Sequence, residues 1–166
     1  MTSLPLAILH EQPGDEAAID RLQERAFGPG RYARSAYRLR EGAPALRELS
    51  FVARVGAMLV GSNRMTPILI GRTPALLLGP LVVDPAFRSR GIGGALIAAS
   101  VTAAEQAGHR LVLLVGDEPY YGRLGFSRAP EGRIELPGPV DPARLLWRPL
   151  VAEAEADVAG EVRPAV

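Results

Sequence analysis

The stretch from Leu76 to Val115 constrains the fold most. Leu76 to Val83 is a near-continuous apolar run, the mark of a central strand covered on both faces, and Asp84-Pro85 ends it. Gly91 to Ala107 then carries Ile92, Leu96, Ala99 and Ala103 on one stripe and Ile97, Val101 and Ala104 on another, the pattern of an apolar helix buried against a sheet. Gly108 terminates this helix and Leu111 to Val115 supplies the next buried strand. A strand, a helix and a strand in this order make a right-handed parallel crossover. The chain is therefore expected to build a mixed α/β fold around a helix-covered sheet.

The flanking segments fit around that unit. Leu4, Leu6 and Ile8 up to His10 read as a first strand, closed by Gln12-Pro13-Gly14-Asp15. Asp15 is placed to cap a helix bearing Ile19, Leu22 and Ala26, which stops before Gly28-Pro29-Gly30. A polar helix is expected from Tyr32 to about Glu41, and a hairpin from Leu49 to Val55 and Ala57 to Ile70 around Gly56. After the crossover come a short helix over Pro119 to Leu124, a Pro/Gly-rich connection from Pro130 to Pro142 and a last strand from Leu145 to Val151. With 166 residues and no repeat or dividing linker, one domain over residues 1–151 is expected, followed by an Ala/Glu-rich tail, 152–166, that frays.

Composition excludes whole classes of chemistry. The chain has no Cys and no Lys, so its nineteen basic residues, set against eighteen acidic ones, are all Arg. That removes disulfides, Cys-ligated metal centres, a Cys nucleophile, a Schiff-base lysine and the Walker P-loop. A net charge of +1 is too small for a general nucleic-acid binder. The amino terminus lacks a positive n-region, and no apolar stretch approaches a membrane span, so no membrane association is expected and a cytoplasmic location is the default. No metal site is expected.

Chemistry concentrates in Arg88-Ser89-Arg90-Gly91-Ile92-Gly93-Gly94, where a strand feeds a Gly-rich loop that opens a helix. Glycines there leave backbone N–H groups uncovered at the positive end of the helix dipole, and Arg88 and Arg90 add guanidinium forks suited to phosphate. The Rossmann fingerprint fails, because Leu96 stands where a small residue is needed and no acid follows about 20 residues on. A plain Gly-rich turn remains the simpler alternative. The loop does match Arg/Gln-x-x-Gly-x-Gly/Ala, an acetyl-CoA pyrophosphate loop. Beyond the next strand, Tyr121 to Phe126 reads Tyr-x-x-x-Gly-Phe.

With both motifs in this order, the chain resembles the GCN5-related N-acetyltransferase (GNAT) superfamily, in particular its bacterial branch of small predicted acetyltransferases. The resemblance implies an acyl-CoA N-acyltransferase fold in which the strand Leu76 to Val83 splays from Leu111 to Val115. It implies acetyl-CoA as co-substrate, its pantetheine arm along the backbone of Leu81, Val82 and Val83 and its pyrophosphate at Arg88, Ser89, Arg90, Gly91, Ile92, Gly93 and Gly94. Tyr121 corresponds to the family's general acid for the departing thiolate, a role open to a phenol because its pKa near 10 keeps it protonated at neutral pH. Strand-edge N–H groups would steady the oxyanion.

Some of these residues keep two readings. Tyr121 is also placed to pack on Phe126, and Asp117 either touches the cofactor arm or caps the short helix. The family's frequent strand glutamate is missing, since Ala75 to Val83 has no ionisable residue. The base then comes from elsewhere, from water bound to backbone carbonyls, or is unnecessary for a partly neutral amine; His10 and His109 are weak candidates. The acceptor, a small-molecule or peptide amine, is expected at Tyr32, Arg34, Tyr37 and Arg38 of the second helix and at Asn63, with Arg64 beside it, although that helix reads equally as a solvated amphipathic surface. The activity implied is N-acetyl transfer to a primary amine in a ternary complex. The alternative is a non-catalytic acyl-CoA sensor. The resemblance leaves a homodimer open.

Overall fold

The computed structural model describes residues 5–28 and 35–165, with the backbone alone at 35 and 36. Nine strands and four α-helices follow in chain order among these residues. They are β1 (Leu6–His10), α1 (Glu16–Phe27), α2 (Ser35–Glu41), β2 (Phe51–Val55), β3 (Met58–Ile70), β4 (Thr73–Val83), α3 (Ile92–Gln106), β5 (Leu111–Val115), α4 (Glu118–Tyr121), β6 (Ser127–Arg128), β7 (Ile134–Glu135), β8 (Leu145–Pro149) and β9 (Gly160–Pro164). The main sheet runs β1-β2-β3-β4-β5-β8-β6, while β9 pairs with both β3 and β7. Only β4 and β5 are parallel within that main path; its other pairings are antiparallel.

The central strands carry apolar side chains on both faces, as their unbroken apolar sequence requires. Leu76 and Leu78 of β4, with Val112 and Leu114 of β5, meet Ile97, Val101 and Ala104 of α3 on one face. Leu77, Leu111 and Leu113 point the other way, into a cluster with Ile68, Trp147, Val158 and Val162. Strand alternation thus feeds two cores from one run of residues. On α1, Ile19 and Leu22 pack on Val52, Leu59 and Val82.

Three local expectations are corrected. Asp15 stands at the N-terminal boundary of α1 without capping it. Its carboxylate instead accepts from the Gln12 backbone N–H and pairs with Arg54, because residues 13–15 form a 3₁₀ turn that directs it backward. The expected short helix is a single α turn, α4, followed by a 3₁₀ turn over Gly122–Leu124.

The carboxyl-terminal tail does not fray as expected. Its last strand, β9, lies antiparallel to β3, with Ile70 opposite Val162, and Val162 is 1% exposed. Glycine at the β3–β4 turn allows this approach: a Cβ on Gly71, which takes φ +60°, would lie 2.3 Å from the Ala159 carbonyl oxygen. The Ala/Glu-rich stretch conceals Val158 and Val162, the two apolar residues that close the core beneath Trp147.

Candidate active site

The site begins where the sheet comes apart. β4 and β5 pair only at Leu76↔Val112 and Leu77↔Leu113. Beyond that point β4 stays with β3, through Asn63↔Leu81, Ser62↔Val82 and Gly61↔Val83, while β5 stays with β8. The divergence has a local cause. Between Leu78 and Leu81, β4 places two residues, Gly79 and Pro80, opposite the single Arg64 of β3, which is a β-bulge. Gly79 takes φ +114°, a conformation that glycine alone adopts readily, and a Cβ there would meet the Arg40 Nη2 at 2.7 Å. Among the described residues, the β4 edge facing β5 has no strand partner after Leu77, so its N–H groups are available to a ligand.

A cavity of about 520 Å³ fills the gap. Leu78 to Leu81 form one side and Leu114 to Asp117 the other, with Tyr120 and Tyr121 of α4 at the end of β5. Gln23 and Phe27 of α1, Tyr37 and Arg40 of α2, and the segment before β8 complete the wall. A second cavity of about 630 Å³ adjoins it and shares Gln23, Tyr37, Arg40 and Pro80. Glu11 and Arg64 line this second space as an ion pair, Arg64 Nε donating to Glu11 Oε1 at 2.9 Å.

Tyr121 both packs on Phe126 and faces the first cavity. Its ring stands edge-on to Phe126, with centroids 6.1 Å apart, and to Tyr120, at 4.9 Å, yet it also lines the first cavity. Gly116 makes room for it, since a Cβ there would lie 2.3 Å from the ring. Burial, reinforced by Tyr120 and Asp117, pushes the Tyr121 phenol up to about 12 against the opposing pull of Arg144 and Arg40. The hydroxyl is therefore a proton holder at neutral pH.

The Gly-rich loop lies at the adjacent end of β4. Asp84 closes the strand by accepting from the Ala86 N–H at 2.9 Å, and the loop takes left-handed turns at Ser89 (φ 64°) and Gly91 (φ 77°). Arg88, Ser89, Arg90 and Gly91 are exposed, and the Arg90 guanidinium lies over the Phe87 ring at 5.4 Å. The α3 backbone ladder starts with Ala95 N–H to Gly91 C=O, which leaves the N–H groups of Ile92, Gly93 and Gly94 outside it. A Cβ on Gly93 would come within 2.5 Å of the Tyr120 hydroxyl. The helix end and the tyrosine pair thus share one small space.

The remaining sequence candidates divide. Leu81 and Asp117 line the first cavity, whereas the Val82 side chain is buried against α1 and Val83 packs toward Ile92. Asp117 makes no side-chain cap to α4; it accepts from Arg144 Nε at 3.2 Å. Tyr37 lines both cavities, but Arg38 is exposed and donates to the Pro137 carbonyl oxygen, and it is Arg40, two residues on, that reaches the site. Asn63 is corrected outright: it is fully buried beneath α3, where its amide donates to Ser100 Oγ at 3.0 Å, and Arg64 beside it points to the second cavity. Tyr32 and Arg34 lie outside the described residues. The His10 ring lies tilted against Phe51, with centroids 4.4 Å apart, and neither His10 nor His109 lines either cavity. Sequence reasoning missed Gln23 and Arg144, and it placed Arg40 in the second-helix stretch expected to face the acceptor without singling it out.

Comparison with known proteins bears on this geometry. Residues 47–128 match the family described as the acetyltransferase (GNAT) domain, a span that includes the splayed strand, the Gly-rich loop and the tyrosine pair. A GNAT-family acetyltransferase from Brucella melitensis, solved in complex with acetyl-CoA, is 32% identical over 86% of this chain and 95% of that one, with a TM-score of 0.64. The chain belongs to the GNAT family. Among other GNAT relatives, the uncharacterized N-acetyltransferase YjhQ of Escherichia coli is 31% identical over 117 residues. That match covers 68% of this chain and 65% of YjhQ, so the chain spans less than two thirds of this relative. The GNAT fold extends over nearly the whole chain: YhbS from Escherichia coli, solved with CoA, superposes with a TM-score of 0.83 over 99% of it, at 24% identity. No helix among the described residues is long and apolar enough to cross a membrane.

Proposed function

We propose that this GNAT protein is an acetyl-CoA-dependent N-acetyltransferase that acts on a primary amine by direct transfer in a ternary complex. The observation that carries the reading is the open β4 edge facing a cavity whose wall holds a protonated Tyr121. The chain's own residues suit acetyl-CoA in two respects. A strand edge with free N–H groups fits an amide-bearing arm, and the three uncovered N–H groups of α3 with Arg88 and Arg90 fit a pyrophosphate. Relatives solved with CoA or acetyl-CoA support the same ligand.

Acetyl-CoA supplies the activated acetyl group as a thioester. The protein orients it between Leu81 and the end of β5, and Tyr121 Oη gives its proton to the sulfur that leaves. The chain has no cysteine to carry an acetyl group, which favours direct attack by the amine. β4 offers no ionisable side chain, so the amine proton leaves through water; the carboxylates lining the first cavity are Asp117 and Asp141.

Tyr121→Phe tests this reading. It is expected to lower kcat by roughly 10²- to 10⁴-fold, measured by thiol release, with acetyl-CoA affinity by calorimetry close to that of the wild type. Because the phenol stays protonated up to about 12, the wild type is expected to show no alkaline loss of kcat from this group at lower pH. An unchanged rate in the variant removes Tyr121 from the mechanism. The bare β4 favours one other reading, a non-catalytic acyl-CoA sensor, which predicts acetyl-CoA binding with no thiol release on any amine.

A further inference from the structure

Resting on the acetyl-transfer reading above, we propose that the acceptor is an amino carboxylate, with its amine in the cavity beside Tyr121 and its carboxylate held by Gln23 and Arg40 on the wall between the two cavities. Gln23 carries the inference. It sits on α1 in the stripe that buries Ile19 and Leu22 and is 8% exposed, yet its amide Nε2 is buried with no hydrogen-bond partner among the described residues. Buried polar groups are almost always satisfied by protein or by ordered water, so a donor on a cavity wall with no protein partner is a place a ligand oxygen can occupy.

The surroundings choose the class of oxygen. Arg40 lines the same two cavities, and its Nη2 lies against the Gly79 bulge, next to the point where β4 leaves β5. A guanidinium beside an amide donor suits a carboxylate. A polyamine brings no acceptor and would leave Nε2 unmatched. Tyr121 and Gln23 line one and the same cavity of about 520 Å³.

The test uses the full chain with saturating acetyl-CoA and matched acceptors: protein amino acids, the amines that lack only the carboxylate, and linear diamines. An amino acid is expected to exceed its matched amine in kcat/KM by about tenfold or more, the scale of a hydrogen bond to a charged group. Gln23→Leu is expected to erase about tenfold of that preference, and Gln23→Glu to erase more, because it sets a like charge against the carboxylate. Preference for diamines or for the decarboxylated amines overturns the proposal, as does a Gln23→Leu variant that folds, by its Tm, and keeps the wild-type ratio. Calorimetry of the amino acids into CoA-loaded protein separates the two claims. Binding that weakens in Gln23→Leu upholds the carboxylate site even where no amine turns over, an outcome that would remove only the acetyl-transfer reading. Binding that is undetectable, or the same in the variant, overturns the site.

Discussion

At the scale of single residues, the glycines beside the tyrosine pair make a sharp test. Gly93→Ala brings two opposed effects: alanine favours a helix by about 1 kcal/mol over glycine, while its Cβ collides with the Tyr120 hydroxyl. Tyr120 is 43% exposed and is free to swing outward, so the fold absorbs the collision. The expected outcome is a Tm near that of the wild type with acetyl-CoA affinity, by calorimetry, reduced about tenfold, or about 1.4 kcal/mol. Equal affinity would show that Gly93 is a turn residue only. The same scale shows why some site residues were readable and others not. Tyr121 was found through a local spacing, whereas Gln23 is a polar residue four positions after Ile19 on a core-facing stripe, a signal visible in the sequence that the apolar pattern around it masked. Arg40 and Arg38 cannot be told apart by composition. Their separation depends on the rotation of a seven-residue helix against β4, a tertiary property. Asn63 was misplaced for the related reason that alternation puts Asn63 and Arg64 on opposite faces of β3 without saying which face α3 covers.

Elements with a strong period were legible. The crossover β4-α3-β5 stands where its apolar runs put it, and the break in the β4–β5 ladder falls at the Gly79-Pro80 pair inside the first run. β9 was not legible, because its stability comes from a pairing partner about 90 residues away and from two valines among charged neighbours. Those valines make its contribution measurable. Val162→Ala removes two buried methyl groups from the cluster that holds Ile68 and Trp147 and is expected to cost about 1–3 kcal/mol, read from chemical denaturation. A change below a few tenths of a kcal/mol would mean that β9 is a loose appendage. Acetyl-CoA affinity is expected to change little, since Val162 lines neither cavity.

For the whole molecule, nearly balanced charge removes long-range electrostatics as the main determinant of what binds, and recognition falls to shape and to a few oriented groups. Those groups surround the opening in the sheet, which makes the opening more than a slot of the right width. In an antiparallel strand, successive amides face alternate neighbours, so past Leu77 every second N–H of β4 turns to β3 and the others face the gap with no strand partner among the described residues. The free protein therefore carries an isotopic pattern with a period of two along one strand, interrupted at Pro80, which has no amide proton. Adding acetyl-CoA is expected to slow deuterium uptake at the gap-facing amides of residues 78–83 and to leave their β3-facing neighbours unchanged, as residue-resolved NMR exchange would record. Slowing at both sets alike would point to general stiffening in place of strand-like pairing. An absent stretch of ladder thus becomes a ruler laid along the protein, against which the ligand's own amides can be registered one by one.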